Sequence, residues 1–187
     1  VRLNQHPLLY ALSQPALPLP SYRRLLLAYF QLYSVLETRI HHYLERQSCS
    51  FQYADRNKLQ WLIKDLLFFH EEIPGIDAQR WDFPAIENPA QLTGVLYTLE
   101  GSTLGGQHIS RCLENSHGLT TDSGACFFNG YGEQTQAMWQ AFLDFAESLS
   151  VPDHAEAARS AIQVFELFEK VLGELPSREC VTVQVNV

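Results

Sequence analysis

The sequence predicts an all-α fold, a single-domain bundle of helices packed on helices. Three observations carry that expectation. Long stretches repeat their apolar residues with the 3.6-residue period of core-facing helices. Pro, Asn and Ser stand where helices should start. The one stretch that alternates like a strand, Val181 to Val187, has no evident partner.

The elements follow in order. A short first helix is expected over roughly Asn4 to Leu12, then a connection rich in proline at Pro15, Pro18 and Pro20. Ser21 reads as the N-cap of a long helix ending near Glu45, whose stripe Leu25, Tyr29, Leu32, Leu36, Ile40 and Tyr43 faces the core. A third helix is expected from about Arg56 to His70, with Leu59, Ile63, Leu66 and Leu67 inward. Pro74, Gly75 and Pro84 make Glu71 to Glu87 a loop with short turns. Asn88 followed by Pro89 is a strong helix start, and that helix should continue to about Leu113 despite Gly94, Gly101, Gly105 and Gly106. Ser116 to Tyr131 reads as loop, and two more helices are expected near Gly132 to Ser148 and Asp153 to Leu172. Residues 1–175 then form the domain, and 176–187 an extended or disordered tail.

Composition narrows the function. A chain of 187 residues fits one domain and can bury a core without disulfide or metal staples. With 46% hydrophobic and 18% charged residues it is a folding sequence, not a disordered one. Thirteen basic residues against 21 acidic ones, a net charge of −8, disfavour nucleic acid as a partner. A small anionic ligand stays open, since one or two arginines suffice for a carboxylate. Cys49, Cys112, Cys126 and Cys180 include no C-x-x-C pair, so neither a zinc knuckle nor a thioredoxin-like motif is expected. Reduced thiols, an N-terminus polar by residue 4, and an apolar run (Leu25 to Leu32) too short to span a bilayer together point to the cytoplasm and away from membranes.

The most informative stretch is Leu96 to Gln107. Each glycine inside a helix costs about 1 kcal/mol relative to alanine, so Gly101, Gly105 and Gly106 together cost roughly 3 kcal/mol. Something there needs the backbone to bend or to be approached closely. A flat, wide ligand lying on the helix is one such need. Tight helix–helix packing on small residues is the other, and periodicity does not choose between them. Phosphate binding is excluded on pattern: the run is not G-x-G-x-x-G, it follows a helix rather than a strand, and Gln107 stands where a P-loop lysine should.

The string LEGSTLGGQ, residues 99–107, closely resembles the distal helix of bacterial heme oxygenases, especially those that accompany bacterial phytochromes. The run Phe127-Phe128-Asn129-Gly130-Tyr131-Gly132-Glu133, the run Met138-Trp139-Gln140-Ala141-Phe142 and the run Leu32-Tyr33-Ser34-Val35-Leu36-Glu37 are similar to that family too, as is Ala158 to Phe168. The likeness extends over nearly all of the chain up to about residue 172.

This resemblance implies a heme oxygenase-like bundle with a glycine-kinked distal helix lying over heme. It implies an enzyme that opens heme to biliverdin and releases iron and CO, heme being both substrate and cofactor. It implies an external electron donor such as reduced ferredoxin or an NADPH-dependent reductase, and a bacteriophytochrome as a possible recipient of biliverdin.

Heme iron needs an axial ligand, commonly imidazole, and there are seven histidines: His6, His41, His42, His70, His108, His117 and His154. The family's proximal position corresponds to His6. His41 and His42 read as solvated, His70 as a helix-end cation, and His108 as a residue near the pocket. The resemblance implies catalytic roles for Gly101, Ser102, Gly105 and Tyr33, the last either completing a water network at Ser102, where some relatives carry an acid, or standing as a plain core aromatic. The resemblance implies heme contacts for Tyr97, Gly101, Gly105, Gly106 and Phe165; Arg111 reads either as a propionate partner or as a solvated helix-end charge, with Tyr131 and Arg2 the weaker propionate candidates. Phe128 and Phe142 read as pocket or core.

Two departures are visible. Tyr10 stands where many relatives have a carboxylate to orient the proximal imidazole, and Pro7 confines His6 to the first turn of its helix. They leave room for a non-catalytic heme carrier or sensor on the same fold. A thiaminase-like hydrolase on the same scaffold would need an acid and thiol cluster, and no clear spacing supplies one.

Overall fold

The computed structural model describes residues 18–47 and 51–174, and among these every regular element is helical. Helix α1 spans Leu19–Arg46. It begins two residues before the expected cap at Ser21, with Pro20 inside its first turn, where a missing N–H has no intrahelical partner to lose. The Ser21 hydroxyl instead accepts from Arg24 at 3.3 Å. Leu25, Leu32, Leu36, Ile40 and Tyr43 are buried as their spacing predicts.

A 3₁₀ turn, Ala54–Arg56, precedes α2, Leu59–Phe68. This helix is shorter than the Arg56-to-His70 expectation because His70 takes a left-handed backbone (φ 55°) just past its end. Its inward face also differs. Leu62, Asp65 and Leu66 are buried, whereas Leu67 is 57% exposed. The apolar period misassigns Leu67 because a carboxylate holds a core position: Asp65 accepts the backbone N–H groups of Cys126 and Phe127, each at 2.8 Å.

Helix α3, Pro89–His117, starts as expected. The Asn88 side chain accepts the Gln91 N–H at 2.9 Å and Pro89 opens the first turn. It runs four residues beyond Leu113, to the left-handed cap at Gly118 (φ 66°), and it is continuous through the glycine segment. The loop after it contains one turn of helix, α4, Cys126–Asn129, whose N-terminal amides Asp65 caps. A 3₁₀ turn, Gly132–Gln134, leads to α5, Thr135–Ala146, and Val151–Gly173 forms α6.

Helix α3 lies at the centre, packed chiefly along α6 and also against α4 and α5, while α1 packs on α2. The core runs through Tyr22, Leu26, Leu32, Leu96, Leu99 and Val164. The crossing of α3 and α6 is close enough that a Cβ at Gly94 would stand 2.2 Å from the Ala157 carbonyl oxygen. The proposed N-terminal helix and the C-terminal tail beyond residue 174 lie outside the described residues. No helix among the described residues is long and apolar enough to cross a membrane.

Candidate functional site

The four glycines of α3 serve two different purposes. Gly94 and Gly106 are packing glycines: a Cβ at Gly106 would meet the Phe128 carbonyl oxygen at 2.7 Å, so the backbone of α4 rests directly on α3. Gly101 and Gly105 face elsewhere. A Cβ at Gly105 would meet nothing within 4 Å, and one at Gly101 only the Trp139 ring, at 3.6 Å. Among the described residues no neighbour demands glycine at either place. Both nonetheless carry the helix penalty of about 1 kcal/mol. Tyr97 (48% exposed) and Leu104 (40%) share this open surface with Ser102 and His108. The result is a stretch of bare helix backbone framed by an aromatic and a leucine, a shape that the face of a flat macrocycle fits.

Tyr33 reaches this stretch from below. It is fully buried on α1, with its ring edge-on to Phe127 (5.2 Å between centroids) and Phe168 (5.9 Å). Its hydroxyl lies 3.3 Å from the Ser102 Oγ, which itself donates to the Leu99 carbonyl at 2.8 Å. With that donor spent, Tyr33 donates to Ser102, and one Ser102 lone pair remains for water from the exposed side. Burial pushes the Tyr33 phenol well above its ordinary range, so the proton stays on it throughout the physiological range.

Other candidates are scattered. Phe165 is half-buried on α6, and Arg111 is exposed on α3, more than a turn beyond Gly106. Tyr97 packs edge-on against Trp139 at 5.6 Å. The Tyr131 hydroxyl is engaged inside the protein: it donates to the Glu100 carboxylate at 3.0 Å and accepts from Lys58 Nζ at 3.0 Å. Phe128 and Phe142 are core residues. His41 is half-buried, its ring edge-on to Tyr53 and its Nε2 3.4 Å from Asn57, so it is less solvated than its position on the helix suggested. His6, Arg2, Pro7 and Tyr10 lie outside the described residues.

Sequence reasoning missed the charges beneath the site. Glu100, immediately before Gly101, is fully buried and accepts from Lys58 Nζ at 2.6 Å and Arg56 Nη1 at 2.7 Å. Glu37, one helical turn beyond Tyr33, accepts from the Tyr53 hydroxyl at 2.9 Å and from the backbone of Lys58 and Leu59 at 2.7 and 3.1 Å. Desolvation raises the Glu37 carboxyl above its ordinary value, opposed chiefly by the Lys58 amide, and desolvation lowers the Lys58 ammonium, opposed chiefly by Glu100. The available signal was positional: both carboxylates sit on largely buried helix faces, where a charge must have a partner.

Two clefts among the described residues lie away from this face. One is lined by Arg24, Gln31, Trp81 and Glu174, the other by Tyr43, Asn88, Phe145 and Asp153. Neither includes Tyr33, Ser102 or a glycine of α3.

Comparison with known proteins identifies the family and the fold. The family model described as heme oxygenase matches residues 14–174. A solved structure, that of heme oxygenase from Leptospira interrogans, superposes with a TM-score of 0.71 at 17% sequence identity, covering 92% of this chain and 91% of that one. At that identity the likeness is one of fold. No curated protein matches the chain.

Proposed function

The chain belongs to the heme oxygenase family, and from that membership we propose that it opens heme oxidatively to biliverdin, releasing iron and CO. The observation that carries this reading is the unshielded backbone at Gly101 and Gly105, with the Tyr33–Ser102 pair beside it, on the central helix of that family's fold. No packing partner among the described residues accounts for those two glycines, whereas a porphyrin face would.

In this reading His6 is the axial ligand to iron, and Tyr97, Gly101, Gly105 and Phe165 lie against the macrocycle. Gly106 supports it indirectly by letting α4 pack close. Arg111 is the cation for a propionate. Tyr131 is the weaker candidate there, because its hydroxyl already serves Glu100.

The substrate supplies its own redox chemistry: heme iron, once reduced, activates dioxygen against a meso carbon of the same ring. What remains for the protein is to orient and to hold protons. Bare backbone at Gly101 and Gly105 leaves room above the ring without placing a strong acid there. Ser102 holds a water through its remaining lone pair, and Tyr33, neutral at working pH, fixes the Ser102 hydroxyl by donating to it. Serine organises that water by hydrogen bonding alone, without the negative charge some relatives bring to this position. Electrons come from an external donor such as a reduced ferredoxin or an NADPH-dependent reductase. A bacteriophytochrome is a natural recipient for the product, and the cytoplasm a natural location.

The test is hemin with a reductant under air. The reading predicts loss of the heme's Soret absorption with appearance of a bilin, and loss of the histidine-ligated spectrum in His6→Ala. A wild type that binds hemin and leaves it intact is a carrier or sensor.

A further inference from the structure

Five segments of the chain meet at two buried carboxylates under the glycine face. On α3, Glu100 takes hydrogen bonds from Lys58 Nζ, Arg56 Nη1 and the Tyr131 hydroxyl. Lys58 Nζ donates as well to the Arg56 carbonyl, at 3.0 Å. Arg56 Nη1 reaches the Met138 carbonyl of α5 at 3.1 Å. On α1, Glu37 holds the other side of the same turn through the Lys58 and Leu59 amides and the Tyr53 hydroxyl. Two carboxylates and two cations make the cluster neutral overall, and every buried side-chain polar atom among the described residues has a partner.

Such a cluster is a poor way to gain stability, since well-packed apolar side chains of similar volume serve as well or better. What it supplies and apolar packing does not is direction. Successive residues of an α-helix are turned by about 100°. A carboxylate at position 100 that must meet three fixed donors therefore sets the rotation of α3 about its axis. With Glu100 turned inward, Gly101 and Gly105 fall on the open face and Ser102 falls at the Tyr33 hydroxyl. Glu100 is adjacent in sequence to the glycine face yet fully buried, so any rotation that exposes it also carries the bare backbone away.

We propose that Glu100, gripped by Lys58 and Arg56, is a positioning residue for heme opening: it fixes the rotation of α3 that presents bare backbone to the porphyrin and Ser102 to Tyr33. The inference rests on the reading of the preceding subsection and adds residues to it.

Glu100→Gln alone leaves two buried cations facing one carboxylate and invites unfolding. The decisive variant is therefore the pair Glu100→Gln with Lys58→Met, which keeps one carboxylate, Glu37, and one cation, Arg56, in the cluster. Three readouts apply beside thermal melting. Amide hydrogen exchange over residues 97–106 and the fluorescence of Trp139, whose ring lies 3.6 Å from the Cβ direction of Gly101, report the helix without any ligand. With hemin and reductant, kcat is compared with hemin affinity. The ratio of bilin regioisomers reports where the ring is attacked.

The expected result is a folded double variant whose 97–106 amides exchange about tenfold faster. Its kcat falls by about ten- to a hundredfold, as small displacements of positioning groups do, and its bilin isomer ratio is altered, with hemin affinity changed far less. If wild type turns heme over and the double variant matches it in exchange, kcat and isomer ratio, the inference is overturned and the cluster is structural only. If the double variant fails to fold while Glu100→Gln folds and keeps wild-type kcat and isomer ratio, it is overturned likewise. A wild type that leaves hemin unbound or intact sinks the functional reading, and the inference with it.

Discussion

Replacing Gly105 by alanine should make the protein more stable and a worse heme oxygenase. The perturbation is one methyl group. At Gly105 that methyl meets nothing within 4 Å, so no packing term opposes it, and the gain in helix propensity of about 1 kcal/mol is realised. For a chain of this size 1 kcal/mol corresponds to about 2–4 °C in Tm. The matched control is Gly94→Ala, where the same gain is opposed by contacts of 2.2 Å with the Ala157 carbonyl oxygen and 2.8 Å with the Ala161 nitrogen. Those atoms are backbone and cannot rotate away. The strain belongs at or above the upper end of the 1–3 kcal/mol usual for overpacking, which leaves a net loss of about 2 kcal/mol or more. Thermal melts of the two variants without ligand should thus move in opposite directions. Hemin titrations should then show weaker binding or slower ring opening in Gly105→Ala, more so in Gly105→Leu. A destabilised Gly105→Ala would mean that the face is packed after all, and unchanged hemin binding and turnover in Gly105→Leu would remove the porphyrin from it.

Further outcomes follow from individual contacts. Tyr33→Phe deletes the donor to Ser102, a long hydrogen bond of 3.3 Å, so it should cost only about 0.5–1.5 kcal/mol in urea unfolding while slowing bilin formation by more than tenfold; unaltered turnover would free Tyr33 from any part in the reaction. Burial pushes the Asp65 carboxyl up to about 6 from its ordinary 3.8. The folded protein therefore holds that proton more tightly than the unfolded chain, and the stability this gives is full below the unfolded value and is lost as pH rises through the folded one. At 1.36 kcal/mol per pKa unit the effect is about 3 kcal/mol, so wild type should gain on Asp65→Asn by that order between pH 7 and pH 4, whereas a gap independent of pH would contradict the assignment. Asn88→Ala removes the cap on Gln91 and should lower stability by about 1 kcal/mol, read from its urea midpoint.

Much of this was legible in the residues, for reasons that differ from element to element. Asn88-Pro89 announced the start of α3 because both residues act locally, through a side-chain acceptor and a fixed φ. The stripe of α1 announced its buried face because nearly every inward position on it is apolar. Tyr33 and Ser102 were paired from the family pattern, and the fold brings their oxygens to 3.3 Å.

What stayed hidden depends on partners far along the chain. Leu67 is exposed because Asp65 occupies the core position in order to cap residues 61 and 62 places later in the sequence. Nothing in helical period distinguishes Gly94 and Gly106, which admit a neighbouring backbone, from Gly101 and Gly105, which admit none among the described residues. Glu37 and Glu100 fall on buried helix faces, and that was a readable sign of buried partners, but not of which ones.

The central claim concerns where the porphyrin lies, and a crystal structure of the hemin complex measures that directly. The account predicts the macrocycle flat against α3 at Gly101 and Gly105, with the iron ligated by His6 and an ordered water on the Ser102 hydroxyl. Porphyrin seated instead in the cleft beside Arg24 and Trp81, or ligated by His41 or His108 with the glycine face bare, would contradict it.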